Sequence, residues 1–90
     1  NKDERFKKDF PSGKANVILA AYIKFEDAKA YQKLLMKKGN VATTVVRSKN
    51  DAYYLISTKE VANYKEALKE INHIKKQKID DLIFGNIWLY

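Results

Sequence analysis

The stretch that decides the fold is residues 17–39, VILAAYIKFEDAKAYQKLLMKKG. It opens with a short apolar run that is partly β-branched, which favours a buried strand. From residue 26 onwards the apolar residues take helical spacing and share one face: Ala28, Tyr31, Leu34 and Leu35. Gly39 follows two lysines, a pattern typical of a helix that ends in a left-handed cap. We therefore predict a strand over residues 16–22 and a helix over residues 25–38.

The rest of the chain repeats this plan. Residues 41–47 are rich in β-branched side chains, and a polar turn separates them from a second apolar run at residues 52–58, so the two predict a β-hairpin. Residues 60–78 follow with helical spacing, and their apolar stripe consists of Ala67, Leu68, Ile71 and Ile74. Residues 86–90 then predict a final strand, which completes the order β-α-β-β-α-β.

This order predicts an α+β fold of the ferredoxin-like or RNP-like type. In that architecture a four-stranded antiparallel sheet carries both helices on one face, because each crossover between parallel strands is right-handed. The first and third strands are expected at the centre of the sheet. The second face of the sheet then lacks a helical cover and is expected to be open.

Alternation along the central strands predicts which side chains face the helices. We expect these to be Val17, Leu19, Tyr53 and Leu55. The open face is then expected to present Ile18, Ala20, Tyr54 and Ile56, extended from the edge of the sheet by Trp88 and Tyr90. The opposite register is equally apolar and stays open as an alternative. An exposed apolar face of this kind is a binding platform, unless the N-terminal segment or a second copy covers it.

Composition restricts the possible functions. Ninety residues, 46% of them hydrophobic, are enough for one folded domain, here residues 16–90 after a basic lead-in over residues 1–15. The formal net charge of +7 favours anionic partners, and the lack of cysteine excludes disulfides and thiolate metal sites. No apolar run is long enough for a membrane span, and the absence of an initial Met leads us to expect a fragment of a longer protein.

Catalytic patterns are weak in this sequence. His73 is the single histidine, so a metal site built on several histidines is not expected. Asp80 and Asp81 are adjacent carboxylates without the contrasting environments that separate an acid from a base. Ser57 and Thr58 have no base beside them in the sequence. We therefore predict a binding module rather than an enzyme, with no catalytic residue, no metal and no cofactor.

Several segments, in order, resemble the sporulation-related repeat, or SPOR, domain. The resemblance spans residues 16–90 and is carried by short motifs. In the first half these are Val17-Ile18-Leu19-Ala20-Ala21-Tyr22 for the first strand and corner, Glu26-Asp27-Ala28 for the start of the helix and Lys38-Gly39 for its end. In the second half they are Tyr53-Tyr54-Leu55-Ile56 for the third strand, Lys65-Glu66-Ala67 for the start of the second helix and Ile87-Trp88-Leu89 for the last strand. Many members carry glutamine where this chain has Ile18, and the serine of their Gly-Ser-Phe corner is Ala21 here. Both hydrogen-bonding positions are thus apolar.

The resemblance implies a function in the bacterial envelope. The family binds peptidoglycan, especially glycan strands stripped of stem peptides, on the open sheet face. By this resemblance the chain is expected in the periplasm or cell wall, where such domains serve processes that include cell division, with other envelope proteins as further partners. The glycan-binding residues would be Ile18, Ala20, Tyr54, Ile56, Trp88 and Tyr90. A protein-interaction module is the alternative, and a single-stranded RNA-binding domain of the same architecture is a weaker one.

Overall fold

The computed structural model describes residues 14–77, 79–83 and 87–90. Its elements, in chain order, are β1 (Ala15–Tyr22), α1 (Phe25–Gly39), β2 (Thr44–Arg47), β3 (Tyr54–Val61), α2 (Tyr64–Lys75), a 3₁₀ turn (Asp80–Leu82) and β4 (Trp88–Leu89). Most of the predicted lead-in, the predicted end of the second helix at residue 78 and the predicted start of the last strand at residue 86 lie outside the described residues. The boundary between lead-in and domain stays a prediction.

The four strands form one antiparallel sheet in the order β2-β3-β1-β4. This confirms the predicted α+β fold, with the first and third strands at the centre. Both helices contribute to a single core on one face of the sheet, which we call the helix face. Its buried members from the sheet and helices are Val17, Leu19, Ala28, Tyr31, Leu35, Ile56, Val61, Ala67 and Ile74. We call the opposite side of the sheet the open face.

Two irregularities in the pairing of β1 with β3 decide which side chains reach each face. Leu19 has no partner, because Ile18 pairs with Ser57 and the next pair is Ala20 with Ile56. Thr58 is likewise left without a partner between two pairs of the same ladder. A residue inserted into one strand in this way reverses the alternation beyond it. Both Leu19 and Ala20 therefore pack on the helix side, although they are neighbours in sequence.

The second helix begins later than its sequence predicts. Residues 59–61 continue β3 by pairing with the start of β1, and α2 begins at Tyr64. The Asn63 side chain accepts a hydrogen bond from the Glu66 backbone N–H at 3.0 Å, and the Glu66 carboxylate accepts one from the Ala62 N–H at 3.1 Å. The pair differs from a capping box only in that the Glu66 carboxylate bonds the residue before the N-cap, and it likewise fixes the first turn of the helix. The predicted start at residue 60 is wrong because sheet pairing outweighs local helical spacing there.

Replacing Asn63 with alanine is expected to lower the free energy of unfolding by about 1 kcal/mol, because the N–H of Glu66 loses its acceptor. Urea unfolding followed by circular dichroism measures the change. Asn72→Ala is the matched control, since Asn72 is exposed within the same helix, where alanine is the favoured residue. Equal destabilisation by both substitutions would contradict the capping role of Asn63.

Gly39 has a different role from the predicted left-handed cap. It is the last residue of α1, and the left-handed residue is Asn40, at φ 54°. A Cβ on Gly39 would lie 2.3 Å from the Ile79 Cγ2 and 3.0 Å from the Gln77 carbonyl oxygen. Glycine is therefore required by the close approach of the chain that follows α2, while asparagine, which tolerates positive φ, provides the turn.

Tyr31 links α1 to the segment that precedes β4. Its side chain is buried, and its hydroxyl donates to the Leu82 carbonyl oxygen at 2.8 Å. Burial, with a smaller contribution from Tyr22, raises the pKa of Tyr31 from 10.0 to about 12. The neutral phenol is therefore the form that the folded state stabilises.

The elevated pKa of Tyr31 predicts a loss of stability at alkaline pH. A folded-state pKa above the unfolded value favours folding fully below pH 10, and this contribution is lost as the pH rises towards 12. We expect Tyr31→Phe to lower the free energy of unfolding at neutral pH by about 1 kcal/mol and to make stability less dependent on pH in that window. Denaturant titrations across the window test this, with Tyr53→Phe as the control that removes an exposed hydroxyl. A pH dependence unchanged by Tyr31→Phe would refute it.

Candidate functional site

One row of cross-strand neighbours runs over the whole open face. Thr44 of β2 pairs with Ser57 of β3, Ser57 with Ile18 of β1, and Ile18 with Trp88 of β4. Directly opposed residues of antiparallel strands point to the same side of the sheet. The row therefore changes from hydroxyl groups at the β2 edge to an aromatic ring at the β4 edge.

The centre of the open face is buried. Ile18 is 0% exposed and Leu55 is 1% exposed, although neither belongs to the core on the helix face. Ser57 is also buried, and its hydroxyl donates to the Asn16 side-chain oxygen at 3.0 Å. The expectation of an exposed apolar platform on the central strands is therefore wrong. A ligand that approaches this face meets its edges first.

Two aromatic residues form the β4 edge of the open face. Trp88 is 40% exposed, and its ring contacts that of Tyr90 edge to face at 6.3 Å between centroids. Leu89, between them, packs towards the helix-face core, which sets Trp88 and Tyr90 on the opposite side. The predicted position of these two aromatic residues on the open face agrees with the structure.

The turn between β2 and β3 bridges the open face. The Lys49 backbone N–H donates a hydrogen bond to the Tyr90 hydroxyl. Since β2 and β4 are the two outer strands of the sheet, this bond joins opposite edges, and it does so on the side that carries Trp88. The turn and the aromatic pair thus approach each other over the row that contains Ile18, which is consistent with the burial of that residue.

The same turn is held in shape by its own polar groups. The Ser48 hydroxyl accepts hydrogen bonds from the backbone N–H groups of Ala52 and Tyr53, both at 3.1 Å. Asp51 adopts positive φ, and its carboxylate lies 3.6 Å from the Arg47 Nε. This local network presents Lys49 and the 43% exposed Tyr53 from an ordered turn.

Three of the six predicted binding residues lie on the wrong face. Ala20, Tyr54 and Ile56 do share one side of the sheet, as predicted, but it is the helix face. Ile56 is fully buried in the core, and Tyr54 contacts Phe25 of α1 at 5.4 Å between ring centroids. The unpaired Leu19 accounts for Ala20, because it turns the chain over between Ile18 and Ala20. Tyr54 and Ile56 alternate along β3 with Leu55 and Ser57, so it is Leu55, predicted to face the helices, that lies on the open face. Ile18 itself stays on the open face but is enclosed.

Sequence reasoning missed the polar residues of the open face. Asn16, Thr44 and Ser57 bring an amide and two hydroxyls to the open face, and Thr44 is exposed. From the sequence, Ser57 indicates only a nucleophile without a base. Its alternation with Leu55 along β3 would have placed both on one face, but the neighbouring apolar residues gave no reason to choose between the registers.

Titratable groups do not converge on a reactive centre within the described ranges. No group of three or more His, Asp or Glu side chains is arranged there to hold a metal ion. Asp81 forms an ion pair with Lys38 at 3.2 Å, and the exposed His73 lies beside Gln77 on the last turn of α2. Among these residues no helix has both the length and the apolar character to cross a membrane.

Comparison with known proteins identifies the family. The model of the SPOR domain matches residues 11–84, most of the 90-residue chain. The chain belongs to the SPOR domain family. A search of curated proteins and a search of solved structures each find no match. The matched range of this SPOR domain ends before β4, so the Trp88 and Tyr90 pair lies outside it.

Membership of the SPOR domain family implies a general function. SPOR domains bind peptidoglycan, are typically non-catalytic and occur in proteins of the bacterial envelope. In the present SPOR domain the open face combines an exposed aromatic edge with a polar edge. The lysine of the ordered turn adds a positive charge beside it.

Proposed function

We propose that this SPOR domain is a non-catalytic module that binds the glycan strands of peptidoglycan in the periplasm or cell envelope. Family membership is the observation that carries the proposal. The described residues add an open face whose chemistry suits a sugar chain. Aromatic rings stack on the apolar C–H faces of sugars, and hydroxyl and amide groups bond to their polar edges.

The proposed contacts lie at the edges of the open face. Trp88 and Tyr90 would stack against sugar rings, and Thr44 with Asn16 would supply hydrogen bonds. Ile18 would support these contacts from beneath without touching the sugar, because its side chain is fully buried. This arrangement relies more on stacking than in members that have a glutamine and a serine at the positions of Ile18 and Ala21.

A protein-interaction module is the second candidate. The apolar residues at positions 18 and 21 favour it, because they remove the polar groups that the family uses for sugars. Exposed apolar side chains elsewhere on the surface also suit a protein partner, among them Ile23, Phe25 and Leu68. We rank it second because the aromatic edge of the open face fits a glycan without further assumptions.

Pull-down with purified peptidoglycan sacculi tests the first proposal. We expect the domain to sediment with sacculi, and to do so more strongly after an amidase has removed stem peptides. Single-stranded RNA serves as a second ligand in the same assay. Sedimentation that is absent in both preparations of sacculi would overturn the proposal.

The salt dependence of binding distinguishes stacking on aromatic rings from attraction by net charge. Binding to RNA releases counterions and falls steeply as salt rises, whereas a glycan contact led by aromatic rings falls less. We therefore expect binding to amidase-treated sacculi to persist at salt concentrations that remove RNA. The reverse order, with RNA still bound when sacculi are released, would favour the nucleic-acid alternative.

A further inference from the structure

A second surface, away from the open face, has the features of a binding groove. It lies between α1 and the segment that leads into β2, with a volume of about 260 Å³. Its lining includes Lys29, Gln32, Lys33, Met36, Val41 and Thr43. The groove thus combines apolar side chains with two cations.

The charge of this groove is unbalanced. Lys29 and Lys33 are exposed and one helical turn apart, and neither forms an ion pair with a carboxylate of the described residues. No acidic residue lines the groove. Two like charges at this spacing repel each other slightly, so a ligand with carboxylates gains from both.

Polar groups at the floor add a second, independent observation. The Gln32 side-chain N–H donates to the Thr43 carbonyl oxygen at 3.0 Å, which fixes the orientation of the amide. Its remaining oxygen, and the Thr43 hydroxyl oxygen, are buried without a hydrogen-bond partner among the described residues. The fold therefore fixes the Gln32 amide in place, and Met36, a flexible side chain that is 47% exposed, also lines the groove.

The position of the groove indicates the shape of its ligand. Residues 41–43 of its lining lead directly into β2, which is an outer strand of the sheet. Such a strand directs backbone N–H and C=O groups outwards, and an extended peptide pairs with them. The lining contains no aromatic ring on which the bases of a nucleic acid would stack.

We propose that this groove binds an extended acidic peptide. Its carboxylates pair with Lys29 and Lys33, its apolar side chains rest on Met36 and Val41, and its backbone lies along the segment that enters β2. This site is separate from the glycan surface and does not depend on the glycan proposal.

Titration of the isotope-labelled domain with a short synthetic peptide of alternating glutamate and valine tests the proposal. We expect chemical-shift changes at residues 41–44 and along the groove side of α1. Lys29→Glu combined with Lys33→Glu is expected to weaken binding about tenfold, the combined effect of losing two ion pairs and adding repulsion. All four lysines in the test and control variants are exposed, so circular dichroism should show both proteins folded.

Lys65→Glu combined with Lys69→Glu is the matched control. These two exposed lysines have the same spacing on α2, so the net charge changes equally while the groove is untouched. We expect less than a twofold loss of peptide affinity. Equal losses of peptide affinity in both double variants would show that the losses come from net charge rather than from the groove, and would overturn the proposal. So would shifts confined to the open face, or displacement of the peptide from the groove by a single-stranded oligonucleotide.

Discussion

Ile56→Ala is expected to lower the free energy of unfolding by about 2–5 kcal/mol. Ile56 is fully buried on a central strand and belongs to the core that both helices share. Truncation removes its contacts and leaves a cavity that the surrounding sheet can only partly fill. The glycan affinity of the protein that remains folded should not change, because the side chain points away from the open face. Urea unfolding and binding to amidase-treated sacculi measure the two effects.

Ile23→Ala is the control for this experiment, since it removes the same atoms from a side chain that is 74% exposed. We expect it to alter stability by less than about 0.5 kcal/mol. If Ile56→Ala instead left the protein as stable as Ile23→Ala and reduced glycan binding, Ile56 would face the ligand. The register described for β1 and β3 would then be wrong.

Trp88→Ala is expected to weaken glycan binding by about 1–3 kcal/mol, by analogy with the loss of one stack between an aromatic ring and a base. The ring is 40% exposed on the edge of the open face and contacts Tyr90, so both are placed to receive a sugar. Stability should change much less than for Ile56→Ala, because a partly exposed ring leaves no closed cavity. Binding isotherms with isolated glycan strands, corrected for the folded fraction, provide the measurement.

Phe25→Ala is the matched control for Trp88→Ala. Phe25 is an aromatic residue of similar exposure, 48%, but it lies at the start of α1 and contacts Tyr54 on the helix face. It should leave glycan binding unchanged. Equal losses from both substitutions would indicate a general dependence on exposed aromatic surface rather than a site at β4.

At the candidate site, the sequence pattern did not predict which face of the sheet each residue occupies. That Tyr54 and Ile56 share a face was predictable, because residues two apart on a strand point to the same side. That Ala20 joins them depends on the unpaired Leu19. The side of the sheet to which this group belongs was not predictable, since the residues on both sides of each strand are apolar. Alternation along a strand identifies the buried face only when one of the two alternating sets of side chains is polar.

Local sequence also misjudged two boundaries. Residues 60 and 61 fall within the predicted second helix, yet they extend β3 because β1 offers them a ladder of hydrogen bonds. Gly39 looked like a left-handed cap. A side chain is excluded at this position because Ile79, which follows α2 in the chain, approaches it closely. Both outcomes depend on segments distant in the chain, which no local pattern records.

The sequence alone determined the order of elements, the α+β fold and the aromatic pair at β4. Helical and strand periodicities differ, and right-handed crossovers leave one arrangement for β-α-β-β-α-β. Tertiary structure alone decided which face each central residue occupies and that the turn at Lys49 reaches Tyr90 over the open face. The reason is physical. Whether a residue such as Leu19 lacks a partner is determined by the pairing of two strands. The change of face that it causes along β1 therefore arises only when the strands pair.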